Sequence, residues 1–192
     1  AQARQGDIHL TAEQIESRLS ELRPNSTPAG AERRAHLVAD LMDHCWQEMW
    51  GPKEEYLVAV LERQEPHLRS ALAWAEQHDP DLAVRIMGNG HRVMSRSVHF
   101  SDWVALLNQA VAQARSRDSL VYGRALCGLA LANWDKAPDA GLKAAEQASR
   151  IFAPRDDGRW DYANALRHQG LCYRNRPLPE RIALYKEALK IY

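Results

Sequence analysis

Apolar residues recur every three to four positions along most of the chain, and short polar or proline-containing breaks separate these runs. The segment "LRSALAWAEQHDPDLAVRIMG" at 68–88 holds two such runs, with only Asp79 and Pro80 between them. This period places the apolar side chains on one face of an α-helix. The pattern therefore predicts two amphipathic helices joined by a tight turn.

Helix-capping residues bound these runs along the chain. A small polar residue predicts the start of a helix, more strongly when Gln follows three positions later or Pro follows directly. Gly followed by Pro, or a residue placed before Pro, predicts an end. The start signals are Thr11 with Gln14, Ser26 or Thr27 with Pro28, Asp79 with Pro80, Ser101 with Asp102, Ser119, and Pro138. The end signals are Arg23 with Pro24 and Gly51 with Pro52. Pro66 either separates two helices or bends one.

Signals for β-strands are nearly absent from the chain. No segment alternates apolar and polar residues for long enough to form a half-buried strand, and only two Phe are present. Capped runs with helical periodicity account for almost the whole length. The sequence therefore predicts an all-α protein of nine or ten helices joined by short turns.

Alternate helices repeat at a nearly constant interval. Ala110, Ala148 and Ala188 stand in similar surroundings and lie 38 and 40 residues apart. A period of this size is typical of antiparallel helix hairpins that stack in a row, because each hairpin buries its apolar face against the next. The similar segments are "NQAVAQA" at 108–114, "EQASRIF" at 146–152 and "KEALKIY" at 186–192, and "RALCGLALANW" at 124–134 with "NALRHQGLCYR" at 164–174.

Small residues stand at corresponding places in the first helices of these hairpins, namely Gly88, Ala130 and Gly170. Glycine inside a helix costs about 0.5–1 kcal/mol relative to alanine, so close helix packing is the expected compensation.

The period also divides the chain into parts. These are an N-terminal arm with a short helix at 1–25, a helical segment packing on the array at 26–78, and repeats at 79–192 (about 79–118, 119–157 and 158–192).

Composition narrows the function classes. The chain has 25 basic and 25 acidic residues, and this neutrality argues against direct contact with nucleic acid or a membrane surface. No apolar run approaches the roughly 20 residues that span a bilayer. The first residues, "AQARQGDIHL", lack the apolar core of a signal peptide. Cys45, Cys127 and Cys172 are odd in number and far apart, which favours buried reduced thiols in a cytoplasmic protein.

Two resemblances follow from these patterns. Gly170, Tyr173, Tyr185 and Ala188 have a spacing that resembles a tetratricopeptide repeat. The longer run at 58–111 resembles the helical sensor region of bacterial STAND-type signalling ATPases and transcriptional regulators, of the MalT and AfsR kind. The residues that carry the second resemblance are Leu68, Arg69, Ala71, Leu72, Ala73, Trp74 and Ala75, then Ala83, Arg85, Ile86 and Gly88, then Leu106, Leu107 and Ala110.

The resemblance implies a fold and a role. The fold is a TPR-like array of antiparallel hairpins stacked in a right-handed superhelical solenoid. The role is non-catalytic, because the region follows the ATPase module in such proteins and this chain contains no GxxxxGK[ST] motif. A protein or peptide partner, or an anionic small effector, is then expected, with no cofactor and no metal.

The concave surface of such an array is where a ligand is expected, because the first helices of successive units line it. Arginine and tryptophan are favoured anchors of interfaces, and several arginines on one wall suit an acidic peptide, a carboxylate or an anionic effector. The alternative is that these arginines are solvated or pair with acidic residues of a neighbouring helix. The aligned positions are Arg92, Ser95, Arg96, Trp134, Asp135, Arg167, Leu171, Arg174 and Asn175.

Other chemistry is weakly supported. His168 and Cys172 are four residues apart on one helix face, but no nearby ligands complete a zinc site. The "GNGHR" segment at 88–92 follows no strand, so helix packing is preferred to phosphate binding by a glycine loop. No base and nucleophile are visibly oriented for catalysis. The apolar stripes assign Trp46, Trp50, Trp74 and Trp103 to the core.

Two functions remain open. The first is an interaction or effector-sensing module of a cytoplasmic bacterial signalling or transcriptional regulator. The second is a stand-alone helical-repeat adaptor that binds a partner peptide. An ATPase or a DNA-binding helix-turn-helix elsewhere in the full-length chain would favour the first. The final "EALKIY" completes a second helix without a polar capping helix, which suggests a fragment of a longer protein.

Overall fold

A computed structural model describes residues 11–21, 27–175 and 177–192, and every regular element in these ranges is helical. The prediction of an all-α protein is confirmed. Residues 1–10 and 22–26 lie outside the described residues, and with them the expected signals at Ser26 and at Arg23 with Pro24. The helices are α1 (Ala12–Glu21), α2 (Pro28–Glu48), α3 (Glu54–Arg63), α4 (Glu65–His78), α5 (Pro80–Met94), α6 (Trp103–Gln113), α7 (Leu120–Asn133), α8 (Pro138–Phe152), α9 (Arg159–Cys172) and α10 (Leu178–Leu189).

The helices begin where polar side chains satisfy the first backbone N–H groups. Thr11 and Gln14 form the predicted capping box: the Thr11 N–H donates to Gln14 Oε1 at 2.9 Å, and the Gln14 N–H donates to Thr11 Oγ1 at 3.3 Å. Thr27 caps α2 in the same way by accepting from the Gly30 N–H at 3.3 Å. Pro66 lies in the first turn of α4, and the single residue Gln64 separates that helix from α3. The chain therefore contains two helices here.

The helices pack mainly against near neighbours in chain order. Helix α5 contacts α2 on one side and α7 on the other, and α7 also contacts α9. Helix α4 packs on α2 and α5, α6 packs on α5 and α7, and α8 packs on α7 and α9. Helix α1 packs on α2, and α10 packs on α9. Helix α3 packs on α4 and α5.

One large hydrophobic core runs through this arrangement. Its buried residues extend from Ala12 in α1 to Ala165 in α9, and a smaller cluster joins α9 to Ala188 in α10. Ala110, Ala148 and Ala188 are each buried on α6, α8 and α10. Burial of these apolar faces stabilises each helix at about 25 cal/mol per Å² of apolar surface removed from water. No helix among the described residues is long and apolar enough to cross a membrane.

Two helical glycines allow close contacts between neighbouring helices. A Cβ on Gly88 would lie 2.3 Å from the Val121 carbonyl oxygen, so α5 touches the backbone of α7 at this point. A Cβ on Gly170 would lie 2.7 Å from the Tyr185 ring of α10. Ala130 is fully buried. The expected compensation for helical glycine is therefore present at both positions.

A row of polar side chains links α2, α5, α7 and α9. Asn89 donates to Asp43 Oδ1 at 2.5 Å, and Arg85 also binds the Asp43 carboxylate. Arg124 donates from Nη1 to Asn89 Oδ1 at 3.0 Å. Its Nε and Nη2 atoms donate to the two oxygens of Asp161, at 3.0 and 2.9 Å. These partners offset the cost of burying the charges, and they set the relative positions of four helices.

Candidate functional site

Arg92 of α5 and Arg167 of α9 lie on the same side of the molecule as Trp50, which follows α2. The Arg92 Cζ atom lies 4.0 Å from the centroid of the Trp50 ring, a cation–π contact. Arg167 donates from Nη2 to Asn164 Oδ1 at 3.0 Å, and the same nitrogen lies 3.1 Å from His168 Nε2. We call Trp50, Arg92, Arg167 and His168 the central cluster.

Aromatic rings border the central cluster. The Trp160 ring of α9 lies 5.8 Å from Trp50, centroid to centroid, and the Tyr192 ring lies 4.4 Å from Trp160. Both contacts are edge-to-face, the geometry that aromatic quadrupoles favour. On the other side, Trp46 contacts Trp50 and His91, each at 5.7 Å. Trp160 and Tyr192 are 40% and 46% exposed, so the border is open to solvent on their side.

The central cluster contains four buried polar atoms without hydrogen-bond partners. They are Trp50 Nε1, Arg92 Nε, Arg167 Nε and His168 Nδ1. A guanidinium can only donate, so the contact with Arg167 makes His168 Nε2 the acceptor and places the ring proton on Nδ1. All four atoms are therefore hydrogen-bond donors. Buried donors are nearly always satisfied in folded proteins, and this group lacks an acceptor.

The charge of the central cluster is also uncompensated. Within the described ranges, no carboxylate lies within 4 Å of the guanidinium of Arg92 or Arg167, whereas Arg85 binds two carboxylates and Arg124 binds one. Burial lowers the pKa of Arg92, Glu54 opposes this effect, and the nearby Arg167 adds to it. The two arginines therefore place two positive charges close together in a half-buried position.

The histidines beneath the arginines remain neutral. Burial lowers the pKa of His91 to about 4, and the Nδ1 contact with the Gly88 carbonyl oxygen at 2.7 Å only partly opposes this. Burial, followed by the charge of Arg167, also lowers the pKa of His168 well below its ordinary value. Neither ring adds charge at neutral pH.

The remaining predicted site residues of α5 form contacts of their own. Arg96 is exposed and forms an ion pair with Glu54, Nε to Oε1 at 2.6 Å. Ser95 is exposed at the C-terminal end of α5, and its hydroxyl donates to the Arg92 carbonyl oxygen at 2.7 Å. Arg96 therefore pairs with an acidic residue of a neighbouring helix, which was the alternative to ligand binding in the sequence analysis.

The predicted residues of the later repeats form a second group. Arg174 forms an ion pair with Asp135, and both side chains are exposed. Trp134 precedes Asp135 at the end of α7 and is also exposed, and Leu171 is half-buried on α9. The side chain of Asn175 lies outside the described residues. The structure thus brings Arg92 to Arg167 and Asp135 to Arg174.

Sequence reasoning missed much of the central cluster and its border. It assigned Trp50 to the core, and this ring does pack partly against the core while also contacting Arg92. It paired His168 with Cys172, but the thiol approaches the Ala130 carbonyl oxygen instead. Trp160 and Tyr192 were not singled out. No local pattern could have identified them, because contacts between α2, α9 and the residues after α10 bring these rings together.

The structure also places the residues of the other candidate chemistries. The "GNGHR" segment lies in the last turns of α5, where Gly88 packs against α7. All three cysteines are free and buried, as predicted. The described residues contain no group of three or more His, Cys, Asp or Glu side chains that could hold a metal ion.

Comparison with known proteins provides no relative for this chain. No protein-family model, no curated protein and no solved structure matches it. Its function is therefore inferred from the arrangement of the helices and from the geometry of the central cluster.

Proposed function

We propose that this chain is a non-catalytic TPR-like module that binds a protein partner or an anionic effector in a cytoplasmic bacterial signalling or transcriptional regulator. The binding surface is the central cluster, which recognises a negatively charged group of the ligand. The observation that carries this proposal is the pair Arg92 and Arg167, two half-buried guanidinium groups without a carboxylate partner among the described residues.

The order of helix contacts supports a repeat array. Helices α5, α7 and α9 each contact the next in the series, and each is followed by a helix that packs on it. Helix α2 contacts α5 in the same way. The helix that packs on α2 is α4, and α3 lies between α2 and α4 in the chain. In a right-handed solenoid of such hairpins the first helices line the concave surface. The central cluster draws its residues from α5, α9 and the end of α2.

The energetics of the cluster support an anionic ligand. A half-buried positive charge loses part of its hydration, and contacts with neutral side chains do not neutralise that charge. An anion seated between Arg92 and Arg167 supplies charge-assisted hydrogen bonds, the strong kind. Arginine and tryptophan are also the residues that most often anchor protein interfaces.

The buried titratable groups support a binding function over catalysis. A nucleophilic cysteine needs a low pKa, but burial raises the pKa of the Cys127 thiol. His168 is neutral, and the lone pair of its Nε2 atom already accepts from the Arg167 guanidinium. Neither group is therefore available as a nucleophile or as a general base.

Calorimetry with a panel of acidic peptides and small anionic metabolites tests the proposal. The wild type is compared with the double variant Arg92→Glu/Arg167→Glu, and with Arg33→Glu/Arg150→Glu as a control for net charge. Arg33 and Arg150 are exposed on α2 and α8. We expect ligands that bind the wild type and the control but not the Arg92/Arg167 variant, with helical circular dichroism retained in all three. Equal binding to all three proteins would refute the proposal.

A further inference from the structure

We propose that the central cluster is a subsite for a doubly charged phosphate monoester, held by Arg92 and Arg167 with the N–H groups of Trp50 and His168. This inference rests on the proposed function, and it specifies the chemical class of the anion. Its grounds are the balance of charge and the number of buried donors that lack an acceptor.

Charge balance distinguishes a phosphate monoester from a carboxylate. Arg92 and Arg167 contribute two positive charges, and the neutral imidazoles beneath them contribute none. The nearest acidic groups are already engaged: Glu54 with Arg96, and Asp161 with Arg124. A carboxylate would leave one half-buried positive charge without compensation. A phosphate monoester carries close to two negative charges at neutral pH and neutralises both.

The number of free donors also favours a phosphate group. Four buried N–H groups lack an acceptor, and they belong to Trp50, Arg92, Arg167 and His168. A phosphate monoester presents three terminal oxygen atoms, each with several lone pairs, whereas a carboxylate presents two oxygens. The free donor of each arginine is Nε, which can give one charge-assisted hydrogen bond to a phosphate oxygen.

His168 is the second, independent indication of a ligand. Its side chain is only 1% exposed, and its Nδ1 atom has no hydrogen-bond partner. A hydrogen-bond donor buried to this degree is costly unless something accepts from it. The adjacent guanidinium of Arg167 determines the tautomer, so the proton stays on Nδ1.

The aromatic border forms the partly exposed side of the subsite. Arg92 and Arg167 are half-buried, and Trp160 and Tyr192 beside them are partly exposed. The recognition uses side chains, because the glycines of "GNGHR" are packed inside α5 and offer no backbone loop. This mode of binding differs from that of glycine-rich phosphate loops, which use backbone N–H groups at a helix N-terminus.

Three probes that share one aromatic ring provide the test: phenyl phosphate, phenyl sulfate and benzoate. Phenyl sulfate and benzoate are monoanions above pH 5.5, whereas phenyl phosphate gains its second charge as the pH rises through roughly 6. Calorimetry at pH 7.5 should show phenyl phosphate binding at least about tenfold more tightly than the other two, the scale of one additional hydrogen bond to a charged group. Between pH 5.5 and 7.5 only phenyl phosphate should gain affinity.

Variants assign the binding to the subsite. Arg92→Gln and Arg167→Gln should each lower the affinity for phenyl phosphate by about tenfold or more, while Arg150→Gln should leave this affinity unchanged. Thermal melting of each variant shows that it is folded. Inorganic phosphate and a phosphoserine peptide, run beside phenyl phosphate, distinguish a free ion from a phosphorylated small molecule or a phosphorylated chain.

The outcomes separate the two proposals. If all three phenyl anions bind equally and with the same arginine dependence, the phosphate inference is wrong and anion binding stands. If no phosphate compound binds but an acidic peptide does, again through Arg92 and Arg167, the phosphate inference is also wrong. Phosphate binding that survives both arginine substitutions would place the site elsewhere and overturn the phosphate inference. If neither phosphates nor acidic ligands bind, both proposals fail.

Discussion

Arg124 in α7 and Asp161 in α9 form a two-point ion pair, with Nε–Oδ1 and Nη2–Oδ2 distances of 3.0 and 2.9 Å. The Asp161 side chain is only 4% exposed. The pair lies next to the central cluster, because Arg124 also stacks on Trp46 and contacts Asn89. One buried arginine of this region is thus fully compensated, whereas Arg92 and Arg167 are not.

Asp161→Ala should destabilise the fold strongly. The substitution leaves the Arg124 guanidinium buried without its partner, and breaking a buried pair in this way costs about 3–5 kcal/mol. Urea denaturation measures the free energy of unfolding. Asp135→Ala is the control, because it removes only the exposed pair with Arg174 and should cost less than about 1 kcal/mol. Similar losses for the two variants would contradict a structural role for the Arg124–Asp161 pair.

Gly88→Ala should separate α5 from α7. The added Cβ would lie 2.3 Å from the Val121 carbonyl oxygen, and a backbone atom cannot rotate away. Overpacking of this kind costs about 1–3 kcal/mol. Thermal melting measures the change. Gly51→Ala is the matched control, because its nearest neighbour would be 3.6 Å away and a change within about 0.5 kcal/mol is expected. A midpoint for Gly88→Ala as high as that of the control would count against the close approach.

The stability of the protein should fall as the pH is lowered from about 6.5 towards 4. Burial lowers the folded-state pKa of His91 to about 4, whereas an unfolded histidine titrates near 6.5. The folded state therefore binds the proton less readily, so its stability is complete above about pH 6.5 and is lost as the pH falls through this window. By pH 4.5 the loss of stability attributable to His91 reaches about 2–3 kcal/mol.

Urea denaturation at pH 7.5 and pH 4.5 measures this contribution. His91→Asn should be less stable than the wild type at pH 7.5, but its loss between the two pH values should be smaller by about 2 kcal/mol. The exposed His36 provides a control substitution, His36→Asn, with an unchanged loss. An identical pH dependence in the wild type and His91→Asn would show that His91 does not account for the effect.

The three thiols should resist modification in the folded protein. Cys45, Cys127 and Cys172 are buried, and burial raises the pKa of Cys172 to about 11 and that of Cys45 to about 12. Thiol reagents attack the thiolate, so few reactive groups are present at pH 8. A colorimetric thiol assay should detect almost no reaction in buffer and all three thiols in denaturant. Rapid reaction of one thiol in buffer would indicate local opening around it.

Local sequence patterns were sufficient for the secondary structure. The capping box of Thr11 and Gln14 and the burial of Ala110, Ala148 and Ala188 could be read from spacing alone, whereas only the structure showed that two helices meet near Pro66. These features depend on residues within a few positions of one another along a helix. The sequence also assigned Arg92 and Arg167, in the first and third units, to the predicted concave surface.

The composition of the candidate site depended on contacts between distant parts of the chain. Trp50 and Trp160 are 110 positions apart, and no periodicity relates them. The sequence grouped Arg96 and Arg174 with Arg92, yet the structure pairs the first two with Glu54 and Asp135. Whether an arginine is neutralised depends on the acid that tertiary packing brings beside it.

The sequence by itself determined the helices, their caps and their repeated small residues, because helix formation follows from local hydrogen bonding and amphipathic spacing. Only the tertiary structure decided which charges remain without partners. Electrostatic compensation is a matter of distances of a few ångström between side chains that lie far apart in the chain. The guanidinium groups of Arg92 and Arg167, which have no carboxylate partner among the described residues, and the buried N–H of His168 beside them are products of that packing.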